Sequence, residues 1–179
     1  MKEKVDARID AATERRGIVI IFTGKGKGKT TVGFGTVTRA VGHGLCAIKG
    51  QWPNGERRLL EPHGVEFQVM ATGFTWETQS RELDSAAARD TWRHARRMLA
   101  DDTLDVVLLD ELTYMISYDY LDREEVIAAL TTRPAGQSVI ITGCGCHRQL
   151  LEMADTVSEM RPVKHAFDAG LMAQQGIDW

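Results

Sequence analysis

Residues 17–31 read GIVIIFTGKGKGKTT, and this stretch decides the fold. Residues 18–22 are all apolar, which is typical of a strand buried on both faces of a sheet. A loop of alternating glycine and lysine follows, and a segment with helical spacing begins near Lys29. Glycine amides can approach an anion closely, and the start of a helix adds its positive dipole end. The stretch therefore predicts a P-loop, a site for the phosphates of a nucleotide.

Two side chains of the predicted P-loop have a defined task. Lys29 supplies a mobile charge for phosphate oxygens, and the Thr30 hydroxyl is placed to bind Mg²⁺. Lys25 and Lys27 either contact the polyphosphate or are solvated loop charges, and the sequence leaves both alternatives open. The spacing departs from G-x-x-x-x-G-K-[ST] at its first glycine, where this chain has Thr23.

A second motif, LDVVLLDE at residues 104–111, is an apolar strand that ends in two acids. It fits a Walker B element, in which one carboxylate holds Mg²⁺ directly or through water at the carboxyl edge of the sheet. Asp110 and Glu111 would point to opposite faces of an extended chain, so they cannot have the same role. We predict a metal role for at least one of them.

The composition is that of an ordinary globular chain, with 43% hydrophobic and 26% charged residues. A chain of 179 residues is long enough for one domain, which we predict to be an α/β domain over residues 17–179. We predict an N-terminal helix over residues 1–16 ahead of it. The net charge of −3 gives no support to a nucleic-acid or membrane surface. No apolar run reaches the roughly 20 residues of a membrane helix, and the start lacks a signal-peptide core. We therefore expect a cytoplasmic protein without nucleic-acid or membrane partners.

Apolar runs alternate with helical patterns, which predicts a mostly parallel sheet flanked by helices. Val5, Ile9 and Ala12 lie at helical spacing, and their helix is either a lid that folds over the site or a plain surface helix. Phe74 and Trp76 follow a predicted strand at the end where parallel sheets bind ligands. They are either exposed platforms for a flat ligand or partly buried anchors.

Three local predictions concern the elements around these motifs. The helix after the P-loop is expected to bury valines at positions 32, 37 and 41. Asp122 is expected to cap a later helix, with Glu125 in the reciprocal capping position. Cys144, Cys146 and His147 offer fewer than the about four ligands of a zinc site, so we predict reduced, partly buried thiols.

Eight motifs of the chain are also found together in one known family. They are GKGKGKTT, RAVGHG, KGQWPNGE, LLEPHGVEF, ATGFTWET, LLDELTYM, VIITGCGCHR and RPVKHAFDAG. Over nearly all of residues 17–179 the chain resembles the P-loop ATP:corrinoid adenosyltransferases of the CobA or BtuR type. The resemblance implies a P-loop NTPase (RecA-like) fold. It also implies a reaction in which the 5′-deoxyadenosyl group of ATP moves to Co(I) of cobalamin or a precursor corrinoid, with release of triphosphate.

The resemblance assigns roles to particular residues. Thr30 and Glu111 would hold Mg²⁺ (or Mn²⁺), with Asp110 in support. Phe74 and Trp76 would displace the lower axial base of the corrinoid, and they form the catalytic set with Lys29. ATP would lie in the reverse direction to that in most P-loop proteins. Its polyphosphate would contact Gly24, Lys25, Gly26, Lys27, Gly28, Lys29, Thr30 and Thr31.

The resemblance also implies partners. A reduced flavoprotein would reduce the four-coordinate Co(II) to Co(I), the N-terminal helix would cover the corrin, and the assembly would be a homodimer. In the tail, Arg161, Lys164 and His165 are candidates to close over the nucleotide.

One segment departs from the family pattern. The family usually has a longer second strand of the form VGVVQF, and about five residues of it are missing between Gly44 and Ile48. Either the second strand is shortened or a segment has been left out of the sequence.

Two other functions fit parts of the sequence. A RecA-like ATPase or phosphotransferase would use the P-loop and the two acids, but it would release ADP and not triphosphate. A corrinoid carrier without chemistry would have little use for a P-loop.

Overall fold

The structure, a computed structural model, describes residues 2–50, 55–68, 70 and 80–178, with residues 3 and 48–50 as backbone alone. Within these ranges six strands form one sheet in the order β3-β2-β4-β5-β1-β6, and every neighbouring pair is parallel. The strands are β1 Val19–Thr23, β2 Ala47–Gly50, β3 Glu66–Gln68, β4 Val106–Leu109, β5 Ser138–Thr142 and β6 Thr156–Glu159. The predicted α/β class with a parallel sheet is confirmed.

Helices connect the strands and flank the sheet. They are α1 Lys2–Ala11, α2 Lys29–Gly42, α3 Gly55–Leu60, α4 Arg81–Leu99, α5 Leu112–Ser117, α6 Arg123–Thr131 and α7 Arg148–Met153. Short 3₁₀ turns occupy Glu61–His63 and Phe167–Ala169. None of the helices in the described ranges is both long enough and apolar enough to cross a bilayer.

The central strands are apolar throughout because both of their faces are covered. Val107 and Leu109 of β4 belong to a cluster with Trp92 and Leu99 of α4. The alternate residue Leu108 belongs to a second cluster, which includes Phe34 and Val37 of α2 together with Ile140 of β5. Strand residues alternate between faces, so a continuous apolar run is what a doubly covered parallel strand requires.

The helix after the P-loop is oriented differently from the prediction. Val32 was expected in the core but is 38% exposed, whereas Phe34 is only 2% exposed. Gly33 lies against β4, where an added Cβ would be 3.0 Å from Leu108. This close approach turns the face of Gly33, Phe34 and Val37 to the sheet, and Val37 is buried as predicted.

The prediction that Asp122 caps its helix is confirmed, whereas the reciprocal role predicted for Glu125 is wrong. The Asp122 carboxylate accepts from the amides of Glu124 (2.7 Å) and Glu125 (3.2 Å), as an N-cap does. The Glu125 carboxylate, however, accepts from Arg96 of α4 over 2.6 Å. Arg96 on the neighbouring helix thus binds the Glu125 side chain, which was expected to accept from the first amides of its own helix.

The short β2 still completes the sheet. Its four residues pair with all four residues of β4, from Ala47 opposite Val106 to Gly50 opposite Leu109. On its other side β2 pairs with β3. The strand continues two residues past Ile48, so Lys49 and Gly50 also take part in the ladder.

The segment before β1 is fastened at the amino edge of the sheet. Arg16 forms a two-point contact with the Asp155 carboxylate, one hydrogen bond of which is 2.9 Å long. The same carboxylate accepts from the Val19 amide over 2.8 Å, and Arg133 donates to the Gly17 carbonyl over 3.3 Å. The Arg16 guanidinium, together with the Val19 amide, lowers the pKa of Asp155 to about 2, so this contact is charged at neutral pH.

Candidate functional site

The predicted P-loop and the two predicted acids lie at the same edge of the sheet, at the carboxyl ends of β1 and β4. The P-loop follows β1, Asp110 and Glu111 follow β4, and Gly143 follows β5, which lies between the other two strands. Because the strands are parallel, their carboxyl ends meet at this edge, where α/β folds bind ligands. The topology thus brings together two motifs that are about 80 residues apart in the chain.

The P-loop has the backbone that its glycines allow. Gly24 has φ of +94° and Gly28 has φ of +106°, a left-handed region that other residues rarely adopt. Cβ atoms added to Gly24 and Gly26 would lie 2.4 Å and 2.9 Å from the Met160 carbonyl oxygen. These two glycines therefore also allow the chain after β6 to pack directly on the loop.

One glycine amide of the loop donates to a distant part of the chain. The Gly26 amide donates to the Met160 carbonyl over 2.8 Å, and the Met160 amide donates to the Thr23 carbonyl over 2.8 Å. In this structure Gly26 therefore braces the loop against the end of β6. Met160 was missed by sequence reasoning because no local pattern pairs it with a loop more than 130 residues earlier.

Lys29 lies within the P-loop at the start of α2. Its side chain is largely buried, the residue being 8% exposed, and its ammonium donates to the Gly26 carbonyl over 2.9 Å. An ammonium has three protons, so two remain available for ligand oxygens. Thr30 is half-buried in the first turn of the helix, whereas Lys25 and Thr31 are exposed. This placement distinguishes Lys29 from the other loop lysines.

The two acids after β4 are oriented by Thr142 at the end of β5. The Thr142 hydroxyl donates to the Asp110 carboxylate over 2.5 Å and accepts from the Glu111 amide over 2.9 Å. Asp110 is buried. Sequence reasoning missed Thr142, although a polar residue at the carboxyl end of a buried strand could have indicated it.

Glu111 does not continue the strand, so the extended-chain premise for the two acids does not hold. It has φ of +57° and stands at the N-cap of α5. A Cβ on Gly143, whose φ is +133°, would be 3.2 Å from Glu111 Oε2 and 2.1 Å from Thr113 Oγ1. The two carboxylates still have distinct surroundings. The reason is the backbone turn at Glu111, and not the alternation of side chains along a strand.

Cys144 connects the loop after β5 to the P-loop. Its thiol donates to the Gly24 carbonyl over 3.1 Å, and its carbonyl accepts from Thr113 over 2.7 Å. Burial raises the pKa of Cys146 to about 11. Burial also raises the pKa of Tyr114, and a hydrogen bond with Cys144 is the second cause. Both cysteines are free of disulfide bonds and partly buried, which agrees with the predicted burial. In the described ranges no group of three or more His, Cys, Asp or Glu side chains could hold a metal ion.

Phe74 and Trp76 lie outside the described residues, so their predicted roles stay predictions. The described residues next to them are Met70, which is buried, and Ser80, which caps α4. Met70 lines an apolar cavity of about 40 Å³ that also has Trp92, Leu109 and Asp110 in its wall. In the tail, the Arg161 side chain contacts Glu159 and His165 accepts from the Phe167 amide, while the Arg161 backbone lies beside Gly26 of the P-loop.

Known proteins match this chain along its length. The family model of the ATP:corrinoid adenosyltransferases BtuR/CobO/CobP matches residues 15–179. A corrinoid adenosyltransferase of Escherichia coli K12 is 70% identical over 184 positions, which cover 100% of this chain and 94% of that protein. The corrinoid adenosyltransferase CobA of Salmonella typhimurium is 68% identical with the same coverage. A corrinoid adenosyltransferase of Pseudomonas aeruginosa is 43% identical, covering 99% of this chain and 91% of that protein.

The alignments also bear on the short second strand. The 184 aligned positions of the Escherichia coli protein exceed the 179 residues of this chain by five, so this chain has gaps of at least that total. This number agrees with the residues missing before Ile48 relative to the family pattern. The full-length match and the P-loop edge together confirm the resemblance drawn from the motifs: the chain belongs to the family of ATP:corrinoid adenosyltransferases.

Proposed function

We propose that the carboxyl edge of the sheet is where this chain performs the activity of its family, the transfer of the adenosyl group of ATP to a corrinoid. The observation that carries this placement is a P-loop with a buried lysine beside two acids that Thr142 orients. ATP and the corrinoid are substrates of the family. The residue roles that follow are our assignment.

The reaction needs orientation and charge stabilisation from the protein. Co(I) attacks C5′ of ATP, the C5′–O bond breaks, and its electron pair leaves with the triphosphate. Because the reduced cobalt is itself the nucleophile, the chain needs no serine, cysteine or general base. Its residues have to hold C5′ in line with the cobalt and stabilise the charge on the leaving triphosphate. Lys29, with two ammonium protons free of the Gly26 carbonyl, is assigned to the triphosphate.

The donor set at the same edge fits Mg²⁺ or Mn²⁺. Thr30 offers a hydroxyl and Glu111 a carboxylate, which are hard oxygen ligands, and Mg²⁺ sites commonly combine one or two carboxylates with substrate phosphates. We assign Thr30 and Glu111 as the ligands. Asp110 supports them through Thr142, whose hydroxyl also holds the Glu111 backbone. When bound, the ion would offset charge on the triphosphate.

The corrinoid side of the site is assigned to Phe74 and Trp76. We propose that they displace the lower axial base, so that a reduced flavoprotein can reduce the four-coordinate Co(II). The N-terminal helix would cover the corrin, and two chains would form a homodimer in the cytoplasm. Support for these roles comes from the family resemblance and, for the helix, from its exposed position ahead of β1.

The products of a single turnover test the function directly. We expect that mixing the protein with Mg-ATP and chemically generated cob(I)alamin shifts the corrin absorption to that of an alkylated form. One triphosphate should be released for each corrinoid converted, as measured by anion-exchange chromatography. Cob(II)alamin without a reductant serves as the control and should give neither signal. Release of ADP, or an unchanged corrin spectrum with folded protein, would reject the assignment.

Phe74 and Trp76 should matter more when the enzyme starts from Co(II) than when Co(I) is supplied. Replacing Phe74 or Trp76 by alanine is expected to lower turnover about ten- to hundredfold when Co(II) must be reduced on the enzyme, because the reacting centre loses its imposed geometry. With Co(I) supplied ready-made, the loss should be several times smaller. The exposed Phe167 provides a control, and Phe167→Ala should leave both rates unchanged. Equal losses by both routes would contradict the displacement role.

A further inference from the structure

The C-terminal tail, residues 161–178, is attached to the P-loop at both of its ends. At its root the Gly26 amide donates to the Met160 carbonyl over 2.8 Å. At its far end the Lys27 ammonium forms an ion pair with the Asp178 carboxylate. In the part of the chain that the structure describes, this pair is the only hydrogen bond or ion pair between residues 162–178 and the other residues. The contact therefore determines whether the far end of the tail stays on the loop.

The Asp178 carboxylate is held in place for this contact. Its second oxygen accepts from the Gln174 amide over 2.8 Å, and the Asp178 amide donates to the Gln174 carbonyl over 2.8 Å. A closed turn thus fixes the carboxylate before it meets the lysine. The hydrogen bond from the Lys27 ammonium lowers the pKa of Asp178, and the Gln174 amide is the second cause. The Asp178 carboxylate is therefore charged at neutral pH.

The attachment is weak enough to be displaced. The Lys27 and Asp178 side chains are 48% and 27% exposed, and solvent screens ion pairs at such positions. Apolar burial adds little, since the apolar side chains of the tail, such as Val163, Phe167 and Met172, are largely exposed. A polyphosphate, which has several negative charges, would compete effectively with one carboxylate for the same ammonium.

We propose that Asp178 and the polyphosphate compete for Lys27, so that the far end of the tail leaves the P-loop when a polyphosphate binds and returns when it departs. The inference rests on the proposed function, and it takes from the family resemblance that Lys27 contacts the polyphosphate. Asp178 is then a positioning residue that acts through Lys27. It lowers the affinity of the loop for polyphosphate and favours release of the triphosphate product.

Binding of inorganic tripolyphosphate, measured by titration calorimetry, tests this competition. Because exposed ion pairs are only slightly favourable, Asp178→Asn should lower the Kd about two- to sixfold. Lys27→Ala should raise the Kd, and in the Lys27→Ala background Asp178→Asn should have no further effect. Asp168→Asn removes the same charge elsewhere in the tail and should bind tripolyphosphate as the wild type does.

Trypsin provides a second measurement, of the tail itself. Lys164 is the only lysine or arginine in residues 162–178, and Arg161 precedes a proline, so cleavage after Lys164 reports on the tail. Tripolyphosphate should accelerate this cleavage in the wild type and in Asp168→Asn. In Asp178→Asn, cleavage should be fast both with and without tripolyphosphate.

The possible failures can be told apart. If the wild type binds tripolyphosphate but Asp178→Asn binds it equally tightly, the competition is absent and only this inference is overturned. The same holds if tripolyphosphate leaves the cleavage rate of the wild type unchanged. If the wild type binds neither tripolyphosphate nor ATP, the proposed function fails, and the inference fails with it.

Discussion

Replacing Lys29 by alanine is expected to lower kcat/KM for ATP about 10²- to 10³-fold, the loss typical of removing one donor that stabilises transition-state charge. Lys29 lies inside the P-loop, and its ammonium is positioned by the Gly26 carbonyl. Charge gathers on the triphosphate as the C5′–O bond breaks, so a fixed cation at this point acts more strongly in the transition state than in the bound substrate.

Single-turnover rates with cob(I)alamin at several ATP concentrations measure this loss. Arg39→Ala provides a matched control, because it removes one positive charge from the exposed last turn of the same helix. Its rate should equal that of the wild type. The unfolding temperature of Lys29→Ala should not fall, since the substitution removes a buried charge and leaves the glycine backbone intact. A kcat/KM for Lys29→Ala within about threefold of the wild type would contradict the assigned role.

The proposed metal role predicts that replacing either acid after β4 raises the Mg²⁺ concentration at half-maximal rate, and the two positions should differ. Glu111→Gln removes an assigned ligand, so the half-saturating Mg²⁺ concentration should rise by more than about 100-fold. Asp110→Asn acts through Thr142, and supporting residues of this kind typically cost about 10- to 100-fold in metal affinity. Both substitutions preserve side-chain size, so the comparison isolates the charge.

The measurement is the rate of corrinoid adenosylation against Mg²⁺ concentration at saturating ATP. Asp102→Asn, an exposed acid in the loop before β4, should follow the wild-type curve. If Asp110→Asn shifts the curve more than Glu111→Gln does, the roles of ligand and support are reversed. If neither shifts it, the acids do not serve a metal ion.

The sequence predicted the central strands and both motifs because the signals are local and strong. The predicted apolar residues 18–22 contain most of β1, Val19–Thr23, and the apolar run before Asp110 forms β4. A parallel strand covered on both faces has to be apolar at every position, so its pattern is readable without knowledge of its neighbours. The P-loop is similarly readable, since its glycines are required by backbone conformation.

What the sequence did not predict depends on contacts between distant residues. Thr142 orients acids that come about 30 residues earlier in the chain, and Met160 braces the P-loop from the far side of β1. The Glu111 backbone turns because α5 starts there, which a period-two pattern does not reveal. Val32 was placed in the core by spacing alone, whereas the close approach of Gly33 to β4 decides which face of the helix is buried.

The anchoring of Arg16 at the amino edge of the sheet sets how far the first residues can travel. Helix α1, with its ten residues, is about 15 Å long, and residues 12–16 add about 16 Å when extended. The five residues of β1 cross the sheet in only about 16 Å. Val5 and Ile9 on this arm are 51% and 65% exposed. With Arg16 held by Asp155, the arm of about 31 Å is longer than β1, so it is long enough for α1 to reach the carboxyl edge of the sheet, the proposed nucleotide site, while Arg16 stays in place.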